Sequence, residues 1–228
     1  MLVGHFAVGL VAKRCEPKVS LGTFVLAALL ADLLWCLFLI VGLEHVRFKA
    51  GNGVASYMTA ENIELSHSLA MDGLWAASFA GIYFLRRRSA VGAGILFFVV
   101  LSHWLLDFLS HGPDMPLIPG FQKYLGLNLW ASIPASLVVE GGIWIVAVIL
   151  FARVTRPRNS LGVYLYWVVV VVLTLTWYNN LAGPPPRSPQ AAPFASLVFF
   201  SLAVAWAYWM NSLRPPKYLV DKTSGDGR

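Results

Sequence analysis

The chain has 228 residues, of which 58% are hydrophobic and only 12% charged, with nine Trp and a formal net charge of +6. Its mean hydropathy of +0.68 excludes an ordinary water-soluble domain and describes an all-α, polytopic membrane protein. The net charge does not imply nucleic acid, because the basic residues sort by loop and no nucleic-acid signature accompanies them.

The opening MLVGHFAVGLVA is apolar, but about 12 residues reach only about 18 Å as a helix, so it predicts a short N-terminal half-helix carrying His5. Its charges follow the apolar run, which is the wrong order for a secretory signal. Windows long enough to cross a hydrocarbon core of about 30 Å then recur at 20–43, 68–85, 90–110, 130–152, 161–178 and 194–213. They predict about six transmembrane helices. The first contains Asp32 and the second Asp72. The loop between them holds His45, read as interfacial, with Glu64 and His67. The third span ends in SHWLLDFLSH, where His103, Asp107 and His111 are four residues apart and share one helical stripe. Gly112 and Pro113 predict that this helix stops there. Glu140 lies in the fourth span.

Between the last two spans, NNLAGPPPRSPQAAP reads as an extended connection of polyproline character, and residues 214–228 read as a solvated tail. No internal repeat or linker divides residues 1–213, which form a single transmembrane domain. Thirteen Lys and Arg fall in 13–18, 86–88, 153–158 and 214–228, and the other four are Arg47, Lys49, Lys123 and Arg187. The positive-inside rule therefore predicts that both termini are cytoplasmic, in a bacterial inner membrane. Cys15 and Cys36 fall on the cytoplasmic side and within a helix, so no disulfide framework is expected.

An Asp at the centre of a membrane helix costs about 2.5–3.5 kcal/mol on insertion scales, so intramembrane ionisable groups mark function by default. Counting along each helix places Asp32 and Glu140 near the midplane, His103 and Asp107 in the outer half, and His67, Asp72 and His111 nearer the outer surface. His5 can reach the same level. The stretches 74–85, 90–101 and 141–152 contain no ionisable residue, which predicts a cavity closed on the cytoplasmic side. Each group also has a structural reading: His103 with Asp107 as a self-solvating i,i+4 pair, His111 as interfacial, Asp72 in headgroup water, Glu140 as a helix-to-helix acceptor. Four of the five His converging with two Asp favours a metal site instead.

The ordered set GHFAVG with His5, LLADLLW with Asp32, LSHS with His67 and SHWLLD with His103 and Asp107 resembles the bacterial membrane-bound metal-dependent hydrolases, described as LexA-binding, inner-membrane-associated hydrolases. The resemblance covers about residues 1–115. Extended by His111, the order is more distantly similar to zinc-dependent phospholipase C, an all-helical fold built around a zinc cluster. The chain departs from these patterns at two places: Leu-Leu-Trp follows Asp32 where an acid and a His are usual, and Ser66 precedes His67 where Thr is usual. It also lacks a His after His111. The resemblance thus implies one or two ions, not three.

Imidazole and carboxylate ligands suit Zn²⁺, with Mn²⁺ or Fe as alternatives. The expected ligands are His5, Asp32, His67, His103, Asp107 and His111. Asp32 and Asp107 are the expected catalytic carboxylates, one of them bridging and Asp32 serving as ligand or base. Glu64 and Glu140 are expected to support the ligands from behind. The expected activity is hydrolysis of an ester or phosphoester in a lipid or lipid-linked substrate near the outer leaflet, with Arg47, Lys49 and Lys123 holding phosphate. The alternatives are a metal or proton transporter and a non-enzymatic membrane adaptor.

Overall fold

The computed structural model describes residues 1–48, 58–184, 188 and 191–217. Its helices in chain order are α1 (Leu2–Cys15), α2 (Leu21–Ala28), α3 (Leu30–Ile40), α4 (Glu64–His67), α5 (Leu69–Arg87), α6 (Ala90–Ser110), α7 (Ile133–Val154), α8 (Ser160–Ala182) and α9 (Ala192–Leu213). Side-chain caps start many of them: Ser20, Ser68, Ser89, Ser132 and Asn159 each accept from a backbone N–H three residues on. Four helices, α6 to α9, are long and apolar enough to cross a membrane, and α2 with α3 adds a fifth if the bent pair is one span. The 19-residue α5 matches the expected 68–85 element in length, but Asp72, Arg86 and Arg87 lower its apolar character. Two small antiparallel ribbons punctuate the loops, β1 (His45–Phe48) on β2 (Met58–Asn62) and β3 (Met115–Pro116) on β4 (Tyr124–Leu125).

The segment expected as one span at 20–43 is broken. α2 stops at Ala28, Leu29 takes φ −101° and ψ 8°, and the axis turns by 54° before α3 begins. Neither Pro nor Gly marks the place. The break sits directly ahead of Asp32 and turns that residue's helix towards the bundle interior.

The N-terminal segment is the larger surprise. It is helical as expected, but it forms the middle of the bundle, packed on α7, α2 and α6. Val3, Phe6, Ala7 and Leu10 are buried with Leu21, Val25, Trp144 and Phe151 in the main core. An apolar helix face can be covered by protein or by lipid, and here protein supplies the cover. At Gly9 a methyl group would lie 3.3 Å from Val25 Cγ2 and 3.4 Å from that residue's backbone, so the glycine permits the close α1–α2 approach. Gly4 faces the side chain of Met1 instead of another helix. Met1 is itself buried inside the bundle, at the other end of α1 from the basic Lys13 and Arg14.

At that basic end, residues 214–217 are fastened and do not form part of a free tail. The N–H groups of Arg156 and Arg158 donate to Pro215 O at 3.0 Å and Leu213 O at 2.9 Å. Arg214 Nε donates to Thr155 Oγ1 at 3.2 Å, and its guanidinium lies 4.7 Å from the Tyr166 ring centre. The remainder of the expected tail, and residues 185–187 and 189–190 of the proline-rich connection, lie outside the described residues; the two ends of that connection are helical, belonging to α8 and α9. On the opposite side of the bundle, α8 and α9 expose Val168, Val171, Leu175, Val198 and Leu202, an apolar surface suited to lipid.

Candidate metal centre

Three helix-borne elements and one short turn bring five expected ligands together. α1 delivers His5, α3 Asp32, α4 His67, and α6 His103 and Asp107. Asp107 is the hub: Oδ1 lies 3.1 Å from His5 Nε2, while Oδ2 lies 3.2 Å from His103 Nε2 and 3.7 Å from His67 Nε2. Asp32 Oδ1 approaches His103 Nε2 at 3.8 Å and His67 Nε2 at 4.0 Å. The His5 and His103 rings stack with centres 3.7 Å apart. The α-amino group of Met1 also contacts Asp107 Oδ1 and lies 3.2 Å from His5 Nε2.

Two overlapping triads, His5–His103–Asp107 and Asp32–His67–His103, have ligand atoms within 4.8 Å of one another and can each hold a metal ion. The proton positions agree with that use. His103 Nδ1 lies 2.8 Å from Ala28 O, and a carbonyl only accepts, so Nδ1 carries a proton and Nε2 is the nitrogen turned to the carboxylates. Ala28 closes α2, so the break between α2 and α3 places this carbonyl beside His103. Nε2 faces Asp107 Oδ2 at 3.2 Å and Asp32 Oδ1 at 3.8 Å, a position that takes either a second ring proton or a metal ion. A metal ion there replaces the ring proton as the cation between imidazole and carboxylates. The residues present therefore fit a metal ion.

The centre forms one wall of a cavity of about 350 Å³. Trp35, Trp130, Trp177, Asn179, Asn180, Ser196 and Phe200 form much of the remainder. No Lys or Arg lines it among the described residues, and neither does any residue of 74–85, 90–101 or 141–152. It is thus an amphipathic pocket, aromatic and amide-lined at one end and ligand-rich at the other, closed towards the basic loops.

The other expected site residues fall elsewhere. His111 caps α6 (φ −71°, ψ 156°), its N–H still donating to Asp107 O at 2.7 Å, and the chain turns away after it. Its Nδ1 lies 3.3 Å from Asp114 Oδ1 and its ring 4.6 Å from that of Trp130. It lines the cavity outside both triads. Glu140 is fully buried and accepts from Gly4 N at 3.4 Å, tying α7 to α1 at the cavity wall. Asp72 is buried, 1% exposed, and does not sit in headgroup water. Glu64 turns away and accepts from Gly120 N at 2.7 Å. Arg47 and Lys123 are exposed and do not line the cavity; Lys49 lies outside the described residues.

The carboxylate that does stand behind His67 is Glu44, which the sequence reading passed over. It is 1% exposed and accepts from Leu65 N at 2.9 Å, Ser66 N at 2.8 Å and Ser66 Oγ at 2.7 Å. Burial pushes its carboxyl above the ordinary range, and the hydrogen bonds from Ser66 and Leu65 draw it back. No local spacing points to Glu44, since more than twenty residues separate it from His67; only its position at the end of an apolar span hinted at a role. Compared with known proteins, no family model, curated protein or solved structure matches this chain.

Proposed function

We propose that this protein is a membrane-embedded, metal-dependent hydrolase acting on an ester or phosphoester of a lipid or lipid-linked substrate. The observation that carries the reading is the pair of overlapping triads, His5–His103–Asp107 and Asp32–His67–His103, of which His5, Asp32, His67 and Asp107 line an amphipathic cavity. Zn²⁺ suits this donor set best, with Mn²⁺ or Fe as alternatives. When bound, such an ion supplies a water acidic enough to ionise near pH 7 and a Lewis acid for the scissile oxygen. His5, His103 and Asp107, the fully buried triad, would hold it, with His67 beside them. The Asp32 side chain is 17% exposed against 3% for Asp107, so Asp32 reaches the open cavity and accepts the proton of the attacking water. Among the described residues no Lys or Arg lines the wall, so there a substrate anion would find its charge partner in the metal ion. The Trp and apolar surfaces receive the hydrocarbon portion.

The stretches 74–85, 90–101 and 141–152 contain no Asp, Glu, His, Lys or Arg, which argues against transport, because a carrier needs polar groups along its route on both sides of the site. In this reading α5 and the broken α2–α3 element join α6 to α9 as six crossings of a bacterial inner membrane, with the basic loops cytoplasmic. The exposed native Cys15 provides a label for the basic end, and Ile118, 54% exposed, one for the opposite end. A membrane-impermeant maleimide added to intact cells is expected to label Ile118→Cys and to leave Cys15 untouched until the membrane is permeabilised. The reverse pattern would point the cavity at the cytoplasm and refute the outward-facing site.

The activity is tested by metal analysis of purified protein, followed by a mass-spectrometric screen of phospholipids, lipid phosphates and lipid-linked pyrophosphates. Metal-dependent product formation that disappears in Asp32→Asn, with metal retained, is the expected result. Metal-loaded wild type that cleaves none of these classes would favour a metal-holding adaptor and overturn the hydrolase reading.

A further inference from the structure

His67 presents Nε2 to the metal centre, and a second chain of hydrogen bonds approaches its other ring nitrogen. Nδ1 lies 2.7 Å from Ser66 Oγ, and Ser66 Oγ lies 2.7 Å from Glu44 Oε2. Glu44 is pinned in turn, because Oε1 accepts the backbone N–H of both Leu65 and Ser66. Ser66 and Glu44 are both buried, so water does not intervene.

The proton count along this chain decides the chemistry of His67. A carboxylate only accepts, so the single hydroxyl proton of Ser66 is committed to Glu44. Towards His67 the hydroxyl oxygen can then only accept, which requires the ring proton to sit on Nδ1. Nε2 is left as a lone pair 3.7 Å from Asp107 Oδ2 and 4.0 Å from Asp32 Oδ1. We infer that Glu44 and Ser66 form a relay that fixes the His67 tautomer, with Glu44 as a positioning residue that keeps Nε2 competent to bind a metal ion. This rests on the metal-centre reading above and assigns the partner behind His67, as Ala28 O is the partner behind His103. A ligating His whose far nitrogen is held by such a partner is the arrangement in which ring orientation and basicity are both set.

Glu44→Gln separates this role from mere packing. The Gln Oε1 keeps accepting the two backbone N–H groups, so its NH₂ takes the position of Oε2 and donates to Ser66 Oγ. The hydroxyl proton is thereby redirected to His67 Nδ1, and the ring proton moves to Nε2, facing the metal site. In metal-free protein labelled with ¹⁵N-histidine and held in detergent micelles, His67 is expected to show a protonated Nδ1 in wild type and a protonated Nε2 in Glu44→Gln. Zinc affinity, measured by competition with a chromophoric chelator, is expected to fall about 10- to 100-fold in Glu44→Gln and to be retained in Ser66→Thr, which keeps the hydroxyl. Should Glu44→Gln not fold, Ser66→Ala tests the same relay by freeing Nδ1, with mixed tautomers and weakened zinc binding expected.

Wild-type His67 protonated on Nε2, or Glu44→Gln or Ser66→Ala with unchanged tautomer and zinc affinity, would overturn the relay. Wild type that binds no zinc while His67 shows the expected tautomer would overturn the metal reading and leave the relay standing.

Discussion

Asp107→Asn is expected to purify with about a tenth or less of the wild-type metal content, a larger loss than any other single substitution in the centre. Asp107 is the group that His5, His67 and His103 all approach, on both of its oxygens. The amide keeps the shape but loses the charge and places an NH₂ among groups arranged for a cation. Metal binding to the folded state alone is linked to stability: free ion at about a thousand times Kd contributes about 4 kcal/mol. At roughly 2–4 °C per kcal/mol for a domain of this size, EDTA is expected to lower the wild-type Tm by about 10 °C and to leave that of Asp107→Asn unchanged. Inductively coupled plasma mass spectrometry and a thermal-shift series with and without chelator read both effects. Equal metal content in wild type and mutant would remove Asp107 from the centre.

The second large effect concerns α1. Read as a frayed apolar end, residues 2–10 are dispensable; read as a loosely attached arm for His5, their loss abolishes metal binding while the remaining helices persist. The packing supports neither. Val3, Phe6, Ala7 and Leu10 are each at most 3% exposed, and they fill the space between α7, α2 and α6. Removing them leaves a helix-sized void that α2 and α7 cannot close without abandoning their own positions. Deletion of 2–10 is therefore expected to prevent accumulation of folded protein. Point substitutions divide the two roles of α1. Phe6→Ala is expected to cost about 3–5 kcal/mol of stability through its cavity, with metal still bound in the fraction that folds. His5→Ala is expected to lose metal while accumulating at close to wild-type levels, because one ring stacked on His103 is all the packing it removes. Gly9→Leu separates α1 from α2, since even a methyl group there meets Val25, and overpacking of this kind costs about 1–3 kcal/mol or more. Size-exclusion profiles and metal-to-protein ratios for the four variants check the assignment. A folded, metal-loaded deletion protein would show that α1 is not the axis of the bundle.

Much of the architecture was legible because apolar helices announce themselves locally. The expected 90–110 element is Ala90–Ser110, and 130–152, 161–178 and 194–213 correspond to Ile133–Val154, Ser160–Ala182 and Ala192–Leu213. Length, hydropathy and capping residues are short-range quantities, and the chain carries them in order. The His103–Asp107 pair was legible for the same reason, since a four-residue spacing on a helix fixes a shared face whatever else surrounds it. His111 shows the limit of that rule: it lines the same cavity as Asp107, but a shared face does not fix the partner, and its Nδ1 lies against Asp114 instead.

What only tertiary structure decided are the relations between segments. The bend at Leu29 has no Pro or Gly to announce it. It brings Ala28 O to His103 Nδ1, and the same change of direction carries Asp32 towards the bundle interior. The half-helix became the centre of the bundle because Val3, Phe6, Ala7 and Leu10 fill the space between α2, α6 and α7, a destination that hydropathy by itself does not distinguish from a lipid-facing one. Glu64 was expected behind His67 from nearness in sequence, yet Glu44 holds that place, because its bonds to Leu65 and Ser66 bring α4 against the end of α3. The sequence by itself determined which groups are chemically able to bind a metal; packing determined which of their atoms face one another, since a hydrogen bond or a ligand set is a condition on ångström distances that residue spacing sets only within a single helix.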